Sequence, residues 1–200
     1  MTSIGIIGAG NIGRAFATAL ARHNIAATLS NSRGPESLSD IVAAIGPSIT
    51  AGTREEAAAK DIVLVAVHWA NLSDALAGLP GFDGRIVIDA NNPVEIPAYR
   101  PVDLNGKASS EAFTELVPGA RVVKAFNHLP AKLLSEDPQA EGGNRVLFYS
   151  GDDATAKVEI GTLIEQLGFF GIDLGSLAVG SRFHEFPGGP LMVHDLVKFG

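Results

Sequence analysis

Along this chain, short apolar runs alternate with longer stretches in which apolar residues return every three to four positions. The runs predict strands near 3–8, 25–30, 48–51, 61–67, 84–89, 121–127, 144–150 and 169–173. Helical spacing predicts helices at about 11–23, 36–45, 54–59, 69–78, 109–117, 153–167 and 189–198. Runs such as I-V-L-V-A-V and R-I-V-I-D are apolar at consecutive positions, as strands covered on both faces must be. The alternation therefore predicts an α/β fold, a doubly wound and mostly parallel sheet with helices on both sides.

Punctuation sharpens the pattern. S-G-D-D places an Asp where the first free N–H groups of the helix from 153 need an acceptor, and Gly168 ends that helix. From Asn92 to Gly106, Pro93, Pro97 and Pro101 interrupt both periodicities and predict a long irregular connection, a kind of loop that often carries function. The character changes again in G-S-L-A-V-G-S-R-F-H-E-F-P-G-G-P. Residues 1–175 are thus expected to form the main domain and 176–200 a small C-terminal helical element packed on it.

Composition narrows the partners. A formal charge of −7 without a Lys or Arg block argues against an electrostatic grip on nucleic acid or acidic membranes and leaves small molecules. Cysteine is absent, which removes disulfides and thiolate metal sites and suits a reducing compartment. The opening I-G-I-I has no basic leader, and the apolar run 62–67 is far below the roughly 18 residues a spanning helix needs. A cytoplasmic location without a membrane is the expectation.

Chemistry enters with I-G-I-I-G-A-G-N-I-G-R. Gly8, Gly10 and Gly13 form G-x-G-x-x-G between an apolar strand and a helix, the context that makes this spacing a dinucleotide-binding, Rossmann-type signature. Gly8 permits the turn, Gly10 lets the backbone approach a pyrophosphate, and Gly13 lets helix and strand pack closely. The free N–H groups of Asn11 and Ile12 would meet the phosphate charge. After the second strand, where an NAD site places an Asp or Glu, the chain reads N-S-R-G. Asn31, Ser32 and Arg33 offer donors to a 2′-phosphate, so NADP(H) is the expected cofactor; Arg33 as a solvated turn residue is the competing reading.

Ligands of open α/β sheets lie beyond the carboxyl ends of the strands. Three endings qualify: V-A-V-H-W, D-A-N-N-P and K-A-F-N-H-L-P. Val67, His68 and Trp69 are expected beside the ribose or nicotinamide, or else as a helix start with a packing aromatic. Asn91 is a cofactor-site candidate, with Asn92 beside it, although turn geometry is a first role for both. Asn127 and His128 would hold the carboxamide or orient a substrate, Leu129 would press on the nicotinamide ring, and His128, Leu129 and Pro130 are the substrate-site candidates; a hydrogen-bonded loop histidine is the alternative for His128. His184 and Glu185 are candidates for a second-substrate pocket, and His23 and His194 read as helix-surface residues. Asp89, Asp152 and Asp153 are expected to cap and turn rather than bind metal. No catalytic residue is assigned, because hydride transfer between bound partners rests on positioning. No H-E-x-x-H, G-x-S-x-G or P-loop pattern occurs.

These residues carry a resemblance. I-G-I-I-G-A-G-N-I-G, N-S-R-G, V-H-W, A-F-N-H-L-P-A, S-G-D-D and G-S-R-F-H-E-F-P-G-G-P-L, in that order, resemble the NADPH-dependent coenzyme F420 reductases, also called F420-dependent NADP oxidoreductases. R-V-V-K-A-F-N is also similar to the cytosolic reductase domain of the STEAP ferric reductases, in which NADPH passes electrons to a flavin. The resemblance implies NADP(H) at the glycine loop and Asn31 to Arg33, and direct hydride transfer to or from a deazaflavin such as coenzyme F420 or a related acceptor. The F420 reductases often carry His-Thr where this chain has Asn127 and His128. Three readings therefore stay open: a reductase paired with F420, an NADPH-dependent reductase of a flavin or other small acceptor, and a non-catalytic NADP-binding sensor. A homodimer is expected by analogy.

Overall fold

The computed structural model describes residues 2–200. From the amino end it runs through β1 (Ile4–Ile7), α1 (Asn11–Arg22), β2 (Ala27–Ser30), α2 (Ser39–Ile45), β3 (Ile49–Ala51), α3 (Arg54–Ala58), β4 (Ile62–Val65), α4 (Leu72–Leu76) and β5 (Ile86–Asp89). A small antiparallel pair, β6 (Val94–Glu95) and β7 (Arg100–Pro101), leads to α5 (Ser109–Thr114). The second half holds β8 (Arg121–Ala125), α6 (Ala131–Ser135), β9 (Gln139–Ala140), β10 (Gly143–Gly151), α7 (Ala154–Gln166), β11 (Phe170–Asp173), α8 (Leu177–His184) and β12 (Val197–Lys198).

One sheet runs in the order β11-β10-β8-β5-β4-β1-β2-β3, parallel from β8 to β3, with β10 antiparallel to β8. The strand order reverses between β1 and β4, which leaves a crevice at their carboxyl ends. This is the doubly wound α/β fold that the sequence predicts.

The two-residue period sorts each strand between two cores. Ile4, Ile6, Ile62, Leu64, Ile86, Ile88 and Val123 pack with Phe16 and Leu20 of α1 and Ile160 and Ile164 of α7. Ile7, Val63, Val65, Val87 and Val122 point the other way, onto α3, α4, Phe113 of α5 and Leu177 of α8. Residue 5 also faces that second core, and it is glycine because a Cβ there would stand 1.9 Å from the Ala57 carbonyl oxygen.

Three predictions are corrected. The helix expected at 189–198 is a series of turns ending in β12, which pairs with β10. Gly188, Gly189 and Pro190 hold no helical turn, and buried Met192 and the Val193 N–H, bonded to the His128 carbonyl at 3.1 Å, anchor the segment from the side. The C-terminal helix is α8 instead, starting at Leu177. His194 accordingly lies on no helix; its Nε2 meets the Pro190 carbonyl at 3.0 Å. Within 92–106, the expected irregular connection contains the β6–β7 pair.

Candidate functional site

A cleft of about 970 Å³ lies along the carboxyl ends of β1, β2, β4 and β5. Its floor is Gly8 to Ile12, one end is Asn31 to Arg33, one wall is Ala66 to Trp69, and the far end is Ala90 to Asn92. A groove of about 1070 Å³ on the opposite, amino edge, lined by Thr28, Lys60 and Thr162, lacks a glycine loop and faces the wrong strand ends for an α/β ligand.

The three glycines of the loop differ in cause. A Cβ on Gly13 would stand 1.8 Å from the Gly8 carbonyl oxygen, and one on Gly8, whose φ is +112°, 2.2 Å from the Ala66 carbonyl oxygen. Both serve the fold. A Cβ on Gly10 meets nothing within 4 Å, and Gly10 is exposed at the N-terminus of α1 with no side chain capping the helix. Packing gives no reason for glycine there, whereas a ligand lying on the first-turn N–H groups does. Arg14, on the same turn, bends back to donate from Nε to the Ala9 carbonyl at 2.7 Å and lines the cleft.

At the β2 end, Asn31 is committed to its own turn. Its Oδ1 accepts from the Arg33 N–H at 2.8 Å and its Nδ2 donates to Ser37 Oγ at 2.9 Å. Ser32 and the Arg33 guanidinium project from that turn, exposed on the cleft rim, and the guanidinium has no hydrogen bond or ion pair among the described residues. Arg54, absent from the sequence candidates, also lines the cleft; its Nη1 holds the Asp74 and Ala75 carbonyls at 2.9 and 3.1 Å, so it closes the end of α4.

On the β4 side, His68 is exposed and Trp69 half-buried against the second core, so the aromatic both packs and lines the cleft. The Val67 N–H donates to Asn91 Oδ1 at 2.9 Å. Asn91 is buried, its Nδ2 donating to Asp89 Oδ1 at 2.8 Å, so it shapes the far end of the cleft through its neighbours.

The β8 ending is placed differently from the expectation. Asn127 is buried; its Nδ2 donates to Asn92 Oδ1 at 3.0 Å and to the His184 carbonyl at 2.5 Å, while its Oδ1 has no partner. His128 sits beneath Phe148, ring centroids 4.9 Å apart, with neither ring nitrogen hydrogen-bonded. Burial, only partly opposed by the Val146 backbone, lowers its pKa to about 4. Leu129 turns into the core with Phe126 and Leu134, and Pro130 caps α6 on the exposed surface. None of these four lines the cleft, because α8 and the following turns cover the end of β8. His184, fully buried, bonds Ser150 Oγ through Nε2 at 3.2 Å, and desolvation followed by the Lys124 charge pushes its pKa well down. Glu185 accepts the Ser109 N–H at 3.1 Å and so ties α8 to α5.

Asp153 caps α7 through the Ala156 N–H and Asp152 accepts the Leu177 N–H, as capping residues should. Asp89 does more than turn the chain. It is fully buried and paired with Lys124 at 3.3 Å, a contact the sequence reading missed. Its only signal is that D in R-I-V-I-D and K in V-V-K-A-F interrupt neighbouring apolar runs at matching depth.

Residues 3–93 match the family model for NADP oxidoreductase, coenzyme F420-dependent. A hypothetical protein from Sinorhizobium meliloti superposes with a TM-score of 0.94 at 43% identity, covering 99% of this chain and 96% of that one. A candidate F420-dependent NADP reductase from Arthrobacter sp. FB24 gives a TM-score of 0.70 at 29% identity, covering 88% and 86%. Rat metalloreductase STEAP3 is 29% identical over 186 residues, 92% of this chain. The chain spans only 36% of the length of that relative.

Proposed function

We propose, from the match of residues 3–93 to the family model of coenzyme F420-dependent NADP oxidoreductases, that the chain transfers a hydride between NADP(H) and coenzyme F420 or a similar acceptor. The observation that carries the dinucleotide site is the unobstructed space over Gly10, continuous with the unpaired guanidinium of Arg33 at the rim. The pyrophosphate would lie on the N–H groups of Asn11, Ile12 and Gly13, and the 2′-phosphate against Ser32 and Arg33. Bound in this way, the nicotinamide would supply or accept the hydride. The remaining work would be the protein's: Val67 to Trp69 along one wall and Asn91 at the far end of the cleft would hold the ring in place. No side chain need move a proton for a hydride to pass between two bound partners.

A reductase of a flavin or another small acceptor is the second reading; it follows from the resemblance of R-V-V-K-A-F-N to the STEAP reductase domain, and the metalloreductase STEAP3 is similar to 92% of the chain. Both readings share NADPH and differ in the acceptor. The purified protein is mixed with NADPH and, in turn, F420, FMN, FAD and a quinone, and absorbance of NADPH is followed. Turnover with F420 supports the first reading, and turnover with a flavin alone replaces it by the second. Tight NADP⁺ binding with no turnover for any acceptor would leave the non-catalytic sensor.

A further inference from the structure

Asp89, Lys124 and Ser150 are register neighbours on β5, β8 and β10, so their side chains form one polar row across three strands on the face otherwise filled by Val87 and Val122. All three are fully buried. α5 covers the row with Ser110, whose Oγ donates to Asp89 Oδ2 at 2.6 Å, and α8 covers it with His184. A buried charged pair costs desolvation, and apolar residues of similar volume often serve stability as well, so stability alone is a weak reason for it.

The row converges on one residue of the cleft. Asp89 Oδ1 accepts both the backbone N–H of Asn91, at 3.0 Å, and its Nδ2, at 2.8 Å. Lys124 Nζ donates to the Asn91 carbonyl at 2.9 Å. With its N–H, carbonyl and Nδ2 fixed, Asn91 has a single orientation left for Oδ1, and that oxygen receives the Val67 N–H. The ion pair thus fixes the ends of β5 and β4 relative to each other at the far end of the cleft. It has no bond to Gly8–Gly13 or Asn31–Arg33.

We propose that Asp89 and Lys124 are positioning residues that set the nicotinamide half of the cleft through Asn91 and Val67, leaving the adenosine half untouched. The proposal rests on the NADP(H) reading above and adds a division of labour along the cleft. Neither residue touches the ligand; each acts through Asn91.

The test compares two ligands by calorimetry: NADP⁺, which spans the cleft, and adenosine 2′,5′-bisphosphate, which occupies only its adenosine half. In Lys124→Met, NADP⁺ should bind about tenfold more weakly while the bisphosphate changes by less than about twofold. The double variant Asp89→Asn/Lys124→Met, which leaves no unpaired buried charge, guards against loss of folding in the single variant and should show the same split. A parallel loss for both ligands would reduce the pair to general structural support, and no loss for either would remove the link from Lys124 to Asn91; each overturns the proposal. If the unaltered protein binds the bisphosphate but a variant shows no split, only the positioning role falls. If the unaltered protein binds neither ligand, the NADP(H) reading falls and takes the positioning role with it.

Discussion

Single residues in the glycine loop separate what serves the fold from what serves a ligand. Gly13→Ala puts a methyl group 1.8 Å from the Gly8 carbonyl oxygen, so α1 must shift. Overpacking of this kind costs about 1–3 kcal/mol, to be read as a lower urea midpoint. A Cβ on Gly10 meets no atom within 4 Å, so Gly10→Val should keep the midpoint while abolishing NADP⁺ binding. Full NADP⁺ affinity in Gly10→Val would take the loop out of the binding site. At the other end of the cleft, the Arg33 guanidinium has no partner of its own, so Arg33→Ala should leave stability unchanged. NADP⁺ affinity should fall by about 1.5–3 kcal/mol with NAD⁺ affinity preserved, and equal losses would deny Arg33 the 2′-phosphate. These positions were legible in the sequence because G-x-G-x-x-G and N-S-R-G are local: strand end, loop and helix start lie within a few residues. Asn31 was legible only in part, since an Asn that turns the chain and one that binds a ligand look alike until Ser37 is seen to take its amide.

Elements fall into the same two classes. α1, α7 and the strands from β1 to β5 follow from periodicity, since each buries a regular face on a neighbour close in sequence. α6 and α8 were not predicted: α6 has five residues, and α8 carries Gly180, Ser181 and His184 on its buried side, which no hydrophobic count identifies as a core face. Gly180 is there because a Cβ would come 2.6 Å from the Leu174 carbonyl oxygen and 2.7 Å from Ser150 Cβ, and His184 because Ser150 bonds it. The seat of α8 therefore holds two buried histidines, His128 and His184, whose rings lie 6.4 Å apart. This joint gives stability a pH dependence of known sign. In the unfolded chain each ring binds a proton near pH 6.5, but folded His128 does so only near 4 and folded His184 well below its ordinary value. Above pH 6.5 both states are neutral and nothing is lost. As pH falls below 6.5 the unfolded state gains protons that the folded state refuses, and stability drops until the folded pKa is reached. For His128 the full loss is roughly 3 kcal/mol. Urea midpoints at pH 7, 6 and 5 should decline, before most carboxylates titrate, and His128→Gln should flatten the decline by about half. A midpoint constant from pH 7 to 5 would mean that the rings are hydrated or partnered in solution.

At the scale of the whole molecule, the sheet order around the β1–β4 reversal could be anticipated, because parallel strands joined by helices admit few arrangements. What lies over β8 and β10 could not. Lys124, Asn127 and His128 stand at a strand's carboxyl end, where a site is expected, and are covered by a segment more than 50 residues later in the chain. We read residues 176–200 as an element packed on the dinucleotide domain and necessary to it, not as an independent unit. Leu177, His184 and Met192 are buried, Phe186 N–H bonds Asn92 Oδ1 at 2.9 Å, Val193 N–H bonds the His128 carbonyl, and β12 extends the sheet along β10. Removing the segment would strip the cover from the Lys124–Asp89 pair and from Asn127, and uncovered polar groups of this kind are then solvated at the expense of the packing around them. A chain ending at Leu174 or Gly175 should therefore lose its sharp thermal transition, bind a hydrophobic dye such as ANS and lose NADP⁺ affinity together. If it instead melts cooperatively within about 2 °C of the full chain and binds NADP⁺ unchanged, the C-terminal element is an addition to a domain already complete at β11. The two outcomes also assign the far end of the cleft, since only in the first does the cover over β8 contribute to holding Asn92, and with it the wall where the acceptor would approach.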